Sequence, residues 1–484
     1  MSTARTVVKN AGASLLYRIS TPLSSFVLVF FIARFLGASG LGKYSSALSL
    51  LFIFQAVASL GFPYLITREV AQDKSKAGKF FINASFLGLL FSILAAVLMC
   101  LVVNFISDAA DVIHAGLILS ISLLPYVLSI VCQSLSRGFE RLEHIAIAVV
   151  AGDAFKIVFG VLALYKGYGL VYLIIVIAIS HFVVFLISLY LTVKCFSMHF
   201  YKLSEIDFGF CKWVMRAAPI FNLILILGTI RMNIDVLILN KMMGEVEVGI
   251  YSAAYKLLTI GTLGISVYIL GVQPVVFRLF KSSAREFEIL CKESSRYFFI
   301  VFLPVIAGTM ILSNRFILLI YKAEFLNSAY VLDIIVWVLI LTAFNQMFAN
   351  ALVASNRQAI NLQGNIISTV SNICLNLLLI PKMGAIGAAI ASVVSTLAIF
   401  AYQYLFISKY MFKIDYLDQA KKPLLASVIM GMVIFLVRDI NLFILILIGL
   451  GTYLFSLLVL KEFSARDVEV FKELLTGDKY GADN

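Results

Sequence analysis

The chain has 484 residues, 62% of them apolar and only 13% charged, with a mean hydropathy of +1.02. Soluble domains are usually about 45–50% apolar and about 25% charged, so a large soluble enzyme is excluded and an all-α polytopic membrane protein is expected. The 38 Lys and Arg against 26 Asp and Glu call for no nucleic acid, because cytoplasmic loops collect basic residues.

A helix crosses the hydrocarbon core with roughly 20 apolar residues. By that length the chain is expected to hold fourteen spans. The first six run over about 11–34, 43–66, 80–104, 112–136, 143–165 and 169–194. Six more lie at about 214–240, 248–278, 297–321, 329–354, 361–380 and 384–408, with a last pair at about 421–437 and 441–460. The expected organisation is a six-helix bundle over 1–195, a cytoplasmic linker over 196–213 and a second six-helix bundle over 214–410. An extra helix pair over 411–462 and a cytoplasmic tail over 463–484 complete it.

Between the spans, 26 Lys and Arg fall on one side and 8 on the other. That bias predicts a multi-pass protein of the cytoplasmic membrane with both termini in the cytoplasm. No secretory leader is expected, since the first apolar run carries Arg18 and lacks a small-residue cleavage site. Two inner segments look amphipathic: 281–296, with Phe287 and Leu290 among Arg285, Lys292 and Arg296, and the tail 464–475. Both are expected as interfacial helices on the inner leaflet.

The end of the first span, from Arg34 through Gly37, Gly42, Tyr44 and Ser45 to Ala47, is echoed after the seventh. There Lys241, Gly244, Gly249, Tyr251, Ser252 and Ala254 stand 207 residues further on. Gly169 matches Gly384, and Ser180 matches Ser395, at a separation of 215. A duplication of six spans keeps both copies in one orientation, as in parallel transporter repeats. Rocking of two such bundles opens a central cleft to alternate sides, so alternating access is the expected mechanism.

Charges inside spans are expensive and mark functional candidates. Asp153 and Lys156 are three residues apart, and Arg231 and Asp235 four apart, so each pair could neutralise itself on one helix face. Arg18 and Lys256 have no such local acid. Arg18 lies about 15 Å in from the inner end by helical rise, which is deep for snorkelling, so a cationic cleft for an anionic substrate is expected. Amides crowd spans 7, 10 and 11 (Asn222, Asn233, Asn345, Gln346, Asn350, Asn365, Asn372, Asn376), which suggests a polar lumen. None of the six Cys forms a CxxC pair, and no HExxH, GxSxG or Walker-type motif is present. An enzyme, a resident cofactor and ATP hydrolysis are therefore not expected.

Arg34-x-Leu36-Gly37, Leu41-Gly42-x-Tyr44 and Gly61-Phe-Pro-Tyr-Leu-Ile-Thr67-Arg68-Glu69-Val-Ala71 resemble the opening of polysaccharide-type lipid flippases. These belong to the multidrug/oligosaccharidyl-lipid/polysaccharide exporter superfamily. Gly249-x-Tyr251-Ser-Ala-Ala254-x-Lys256 and Pro381-Lys-Met-Gly384-Ala-Ile-Gly387 are similar to its second-half signatures, so the resemblance spans the first twelve helices. It implies a protein that moves a polyprenyl (di)phosphate-linked glycan across the cytoplasmic membrane without ATP, with Na⁺ or H⁺ coupling. Polysaccharide polymerases or glycosyltransferases are its expected partners. On that view Arg18, Arg231, Lys256 and, more weakly, Lys156 bind the anionic head group.

The lipid II branch of the superfamily has a Na⁺ site between spans 7, 11 and 12. Asp235, Asn372, Asn376 and Ser392 resemble it, although that branch carries a second acid where Asn376 stands. An Arg231–Asp235 pair with the amides as helix glue stays open beside it. Two other functions remain: a cation-coupled multidrug extruder of the same superfamily, and a membrane glycan polymerase or ligase.

Overall fold

The computed structural model describes residues 3–106, 109–195, 206–217 and 219–463. The amphipathic tail 464–475 lies outside the described residues, as does most of the linker. Sixteen α-helices follow one another among the described residues, with no strand. They are α1 (Thr3–Ala58), α2 (Phe62–Gln72), α3 (Ala77–Ile106), α4 (Ala110–Ile121), α5 (Leu123–Gly138), α6 (Leu142–Tyr165), α7 (Gly169–Cys195) and α8 (Phe208–Ala217). The second set is α9 (Pro219–Met243), α10 (Glu245–Ser282), α11 (Ala284–Ile320), α12 (Ser328–Ile335), α13 (Val338–Ala354), α14 (Gln358–Tyr410), α15 (Tyr416–Leu436) and α16 (Leu442–Val459).

Among the described residues, twelve helical stretches are long and apolar enough to cross a membrane. Two of them, in α1 and α14, each hold two of the expected spans, bent at Gly37 (φ 70°) and Gly384 (φ 54°). Only glycine adopts that backbone without strain. Two others are broken, at Ser122 between α4 and α5 and at 336–337 between α12 and α13. The chain is thus an all-α, multi-pass membrane protein.

The duplication is written in the backbone. Gly37 and Gly244 (φ 70° and 85°), Glu140 and Asn356 (58° and 57°), and Gly169 and Gly384 (76° and 54°) are left-handed at corresponding places. Glu140 and Asn356 end their helices in the same way: Arg141 N donates to Ser136 O and Arg357 N to Leu352 O, both at 2.8 Å. That local closure satisfies the last helical carbonyls, as in a Schellman motif.

Polar contacts collect at two ends of the helices. At one end Lys9 pairs with Glu143 (2.9 Å), and Lys79 pairs with Asp207 (2.8 Å) at the start of α8. Lys79 beside it holds the Asp207 carboxyl below the usual carboxylate range. At the other end Lys43 pairs with Asp111 (2.7 Å), Ser328 Oγ donates to Ile250 O (2.8 Å) and Ala385 N donates to Glu247 Oε2 (2.9 Å). Alternate connections therefore lie at opposite ends, as chains that cross repeatedly require.

At the second end two backbones touch. A Cβ added to Gly42 would lie 1.8 Å from the carbonyl oxygen of Glu245, and one added to Gly249 would lie 2.0 Å from that of Ala38. Both partners repeat at the same separation of 207 residues (42 and 249, 38 and 245). The crossing is thus self-complementary, as at a two-fold interface, and glycine is what permits it.

The described residues form two compact units. The first holds the described residues from 3 to 268 with 317–335 and 359–399, and the second holds 269–316, 336–358 and 400–463. In the second unit Leu312 of α11 packs with Ala426, Met430 and Ile434 of α15 and Leu445, Tyr453 and Leu457 of α16. The Tyr453 hydroxyl donates to Ile300 O at 2.7 Å, fixing α16 against α11. One expectation is corrected here. Residues 284–296 are not a separate surface helix but the first turns of α11, continuous with the span that follows. No Pro or Gly interrupts them before Pro304, and Phe287 is 3% exposed with its ring 5.7 Å from that of Phe412.

Candidate functional site

The first unit holds a partly open cavity of about 650 Å³. Its wall takes Thr21, Ser25 and Gln55 from α1, Tyr126, Gln133 and Arg137 from α5, and Asp153 and Lys156 from α6. His181 of α7 and Asn233 of α9 complete the polar lining, while Leu48, Phe52 and Val149 supply apolar surface. A second cavity of about 140 Å³ shares Ser25, Tyr44 and Asn233 with the first and carries Lys256. Because α1 is rich in hydroxyls over Ser20-Thr21-Pro22-Leu23-Ser24-Ser25, both cavities meet a polar stretch inside an apolar helix.

Two lysines converge on that stretch. Lys156 Nζ donates to Asp153 Oδ1 at 2.7 Å, and Ser24 Oγ donates to the same oxygen at 2.8 Å. Lys256 Nζ, reaching from α10, donates to Ser25 Oγ at 2.7 Å and has no carboxylate partner among the described residues. A half-buried ammonium held only by a hydroxyl is costly, and an arriving anion relieves that cost. The other two expected cations lie elsewhere. Arg18 is exposed, donates from Nε to Ser14 Oγ at 3.3 Å, and lines neither cavity. Arg231 is half-buried and points from α9 to Thr396 Oγ1 at 3.4 Å, with its Nε unpaired.

The four residues named for a cation meet in one cluster. Asp235, 1% exposed on α9, accepts from Asn376 Nδ2 (2.6 Å) on Oδ1 and from Ser392 Oγ on Oδ2. Asn372, one turn before Asn376 on α14, accepts from the Asn376 amide at 3.2 Å. A fifth group, the Tyr251 hydroxyl of α10, donates to Asp235 Oδ2 at 2.8 Å. Arg231 is not in this cluster, so the local Arg231–Asp235 pair is not what holds the carboxylate.

Asn376 Oδ1 is buried and has no hydrogen-bond partner among the described residues. An orphaned amide oxygen beside a carboxylate, two hydroxyls and a second amide is a donor set that suits a hard cation.

Three cavity residues were not singled out as candidates in the sequence. Arg137 counted as a loop residue, while Tyr126 and His181 sit in apolar runs. The rings of Tyr126 and His181 meet edge to face with centroids 5.8 Å apart, and His181 Nδ1 is buried without a partner. Helical spacing offered no signal for them, because their neighbours come from other helices. Tyr251 did carry one, as the repeat counterpart of Tyr44.

Residues 7–280, more than half of the chain, match the family described as polysaccharide biosynthesis protein. A curated relative is the probable low-salt glycan biosynthesis flippase Agl15 of Haloferax volcanii, 26% identical over 162 residues. That match covers 33% of this chain and 34% of the relative, so the aligned region is about a third of its length.

Among solved structures, the lipid II flippase MurJ in an inward closed conformation superposes with a TM-score of 0.78 at 17% identity. It covers 94% of this chain and 99% of that one. A multidrug resistance MATE family transporter of the MOP superfamily, inward-facing, gives 0.65 at 18% identity, covering 82% and 98%. The fold is therefore the one those transporters share, and the chain belongs to the polysaccharide biosynthesis protein family.

Proposed function

We propose that the protein is a flippase that moves a lipid-linked oligosaccharide, a polyprenyl (di)phosphate glycan, across the cytoplasmic membrane by alternating access for cell-surface polysaccharide synthesis. The observation that carries this reading is Lys256, half-buried at the wall of the smaller cavity and held, among the described residues, only by Ser25 Oγ. Lys156 and Arg137 bring further positive charge to the adjoining cavity. A (di)phosphate head group satisfies those cations, while Gln55, Gln133 and His181 offer hydrogen bonds to sugar hydroxyls. The protein acts as a transporter and not as an enzyme, and its partners are the glycosyltransferases and polymerase before and after it. Deleting the gene in its native host tests this. Loss of the surface glycan with lipid-linked intermediate held on the cytoplasmic leaflet supports it, and normal surface glycan refutes it.

A multidrug extruder would use an unpaired acid in the cavity for a cationic drug. Asp153, the cavity's acid, is paired with Lys156.

We further propose that the Asp235 cluster binds the coupling cation. Asp235, Asn376 Oδ1, Asn372 and Ser392 would hold Na⁺ as a co-transported substrate, with Tyr251 giving up its bond to Asp235. In reconstituted vesicles a Na⁺ gradient should accelerate flipping, and Asp235→Asn should remove that dependence. An unchanged response in the variant would exclude the site.

Both termini are proposed to be cytoplasmic. Reporter fusions at Asn484 and after Lys202 should report cytoplasm, and an exterior signal at either would reverse the orientation.

A further inference from the structure

Asp153 accepts four donors. Lys156 Nζ (2.7 Å) and Ser24 Oγ (2.8 Å) share Oδ1, while Ser20 Oγ (2.9 Å) and Thr21 Oγ1 (3.0 Å) share Oδ2. Three of the four are neutral hydroxyls from one stretch of α1. A carboxylate so held keeps its charge solvated by the protein when the ammonium leaves. Lys156, by contrast, has Asp153 as its one hydrogen-bonded partner among the described residues, and its side chain is 16% exposed on the cavity wall. The pair is thus asymmetric, with the lysine as its movable member.

The repeat supplies a second observation. Glu140 and Asn356, which end equivalent helices, are 216 residues apart, and at that separation Lys156 stands opposite Asn372. The equivalent positions differ in what they meet: Lys156 donates to Asp153 on its own helix, whereas Asn372 accepts from Asn376, which donates to Asp235 of α9. The first copy supplies a cation from its own chain where the second supplies only an amide.

We propose that Asp153 is a positioning residue that parks Lys156, and that an anionic (di)phosphate head group entering the cavity takes the ammonium from it. This rests on the flippase function proposed above. Binding then exchanges one anion for another at Lys156, and release is driven by Asp153 taking the lysine back. Head-group binding is kept reversible, as transport in one direction requires.

The test is titration of a polyprenyl diphosphate in detergent micelles into the purified full chain. Asp153→Asn frees Lys156 and should tighten binding about tenfold, because the competent fraction is no longer diluted by the parked one. Ser24→Ala removes a donor that shares Oδ1 with Lys156, so Asp153 grips the lysine harder and binding should weaken about threefold. In a Lys156→Met background Asp153→Asn should have no effect.

The proposal is overturned if Asp153→Asn leaves binding unchanged or weaker, or tightens it equally without Lys156. Should that variant not fold, unchanged or tighter binding by Ser24→Ala overturns it instead. A wild-type chain that ignores the probe contradicts the flippase function itself, and this inference falls with it.

Discussion

Lys256→Ala is expected to reduce glycan export on the order of 100-fold, about 2.7 kcal/mol, while protein abundance stays near normal. The size follows from the environment. Lys256 Nζ sits within 2.7 Å of Ser25 Oγ, is half-buried at the wall of the smaller cavity, and has no carboxylate to neutralise it among the described residues. The free protein bears the cost of that ammonium, and an anionic head group recovers it on binding. Removing the charge relieves the resting protein, so stability should not fall, yet the head group loses a charge-assisted contact in a place of low dielectric. Arg18→Ala is expected to do far less than its depth in the sequence suggested, because Arg18 is exposed and lines neither cavity. Quantifying surface glycan in cells that carry each variant checks both. Full export by Lys256→Ala would remove that residue from the head-group site.

The second large effect concerns the crossing glycines. Gly42→Ala and Gly249→Ala each place a methyl within 2.0 Å of a backbone carbonyl oxygen, at Glu245 and Ala38 respectively. No side chain can give way there, since the obstructing atom is main chain, and the helices must move apart. Overpacking of this kind typically costs 1–3 kcal/mol. The crossing holds α1 and α10 in backbone contact at one end of the helices, and if that contact is a seal the expected result is a protein that folds but leaks there, with transport reduced at least about tenfold.

A cysteine at Ser252, which lines the smaller cavity, reports the change in a background lacking the six native cysteines. It should label with a membrane-impermeant thiol reagent from outside when Gly249 is alanine, and resist labelling when glycine is retained. Equal protection in both would mean the crossing is not a seal.

The spans were legible because a bilayer imposes a fixed apolar length, and the repeat because glycine recurs both where φ is positive, at Gly37 and Gly244, and where two backbones touch, at Gly42 and Gly249. Asn372 and Asn376 could be placed on one face from their spacing alone, and Asp235 was the acid they could serve. What the sequence left open were contacts made between helices. Nothing local tells that Ser20, Thr21 and Ser24 surround Asp153, more than 125 residues away in the chain. Depth along a helix likewise says nothing of its rotation, so Arg18 could be set at a level in the membrane but not on a face. The stretch 284–296 reads as amphipathic because its charges are clustered, yet the same helix continues without a breaker and buries Phe287 against Phe412.

The most direct test is flipping by the purified chain in proteoliposomes that hold a labelled polyprenyl-diphosphate oligosaccharide in both leaflets. An added glycosidase that cannot cross the bilayer reads out the exposed fraction. Over an interval in which the wild-type protein makes nearly all of the label cleavable, about half should stay protected with Lys256→Ala, because flipping about 100-fold slower exchanges little of the inner leaflet in that time. A wild-type preparation that leaves half of the label protected would contradict the flippase assignment.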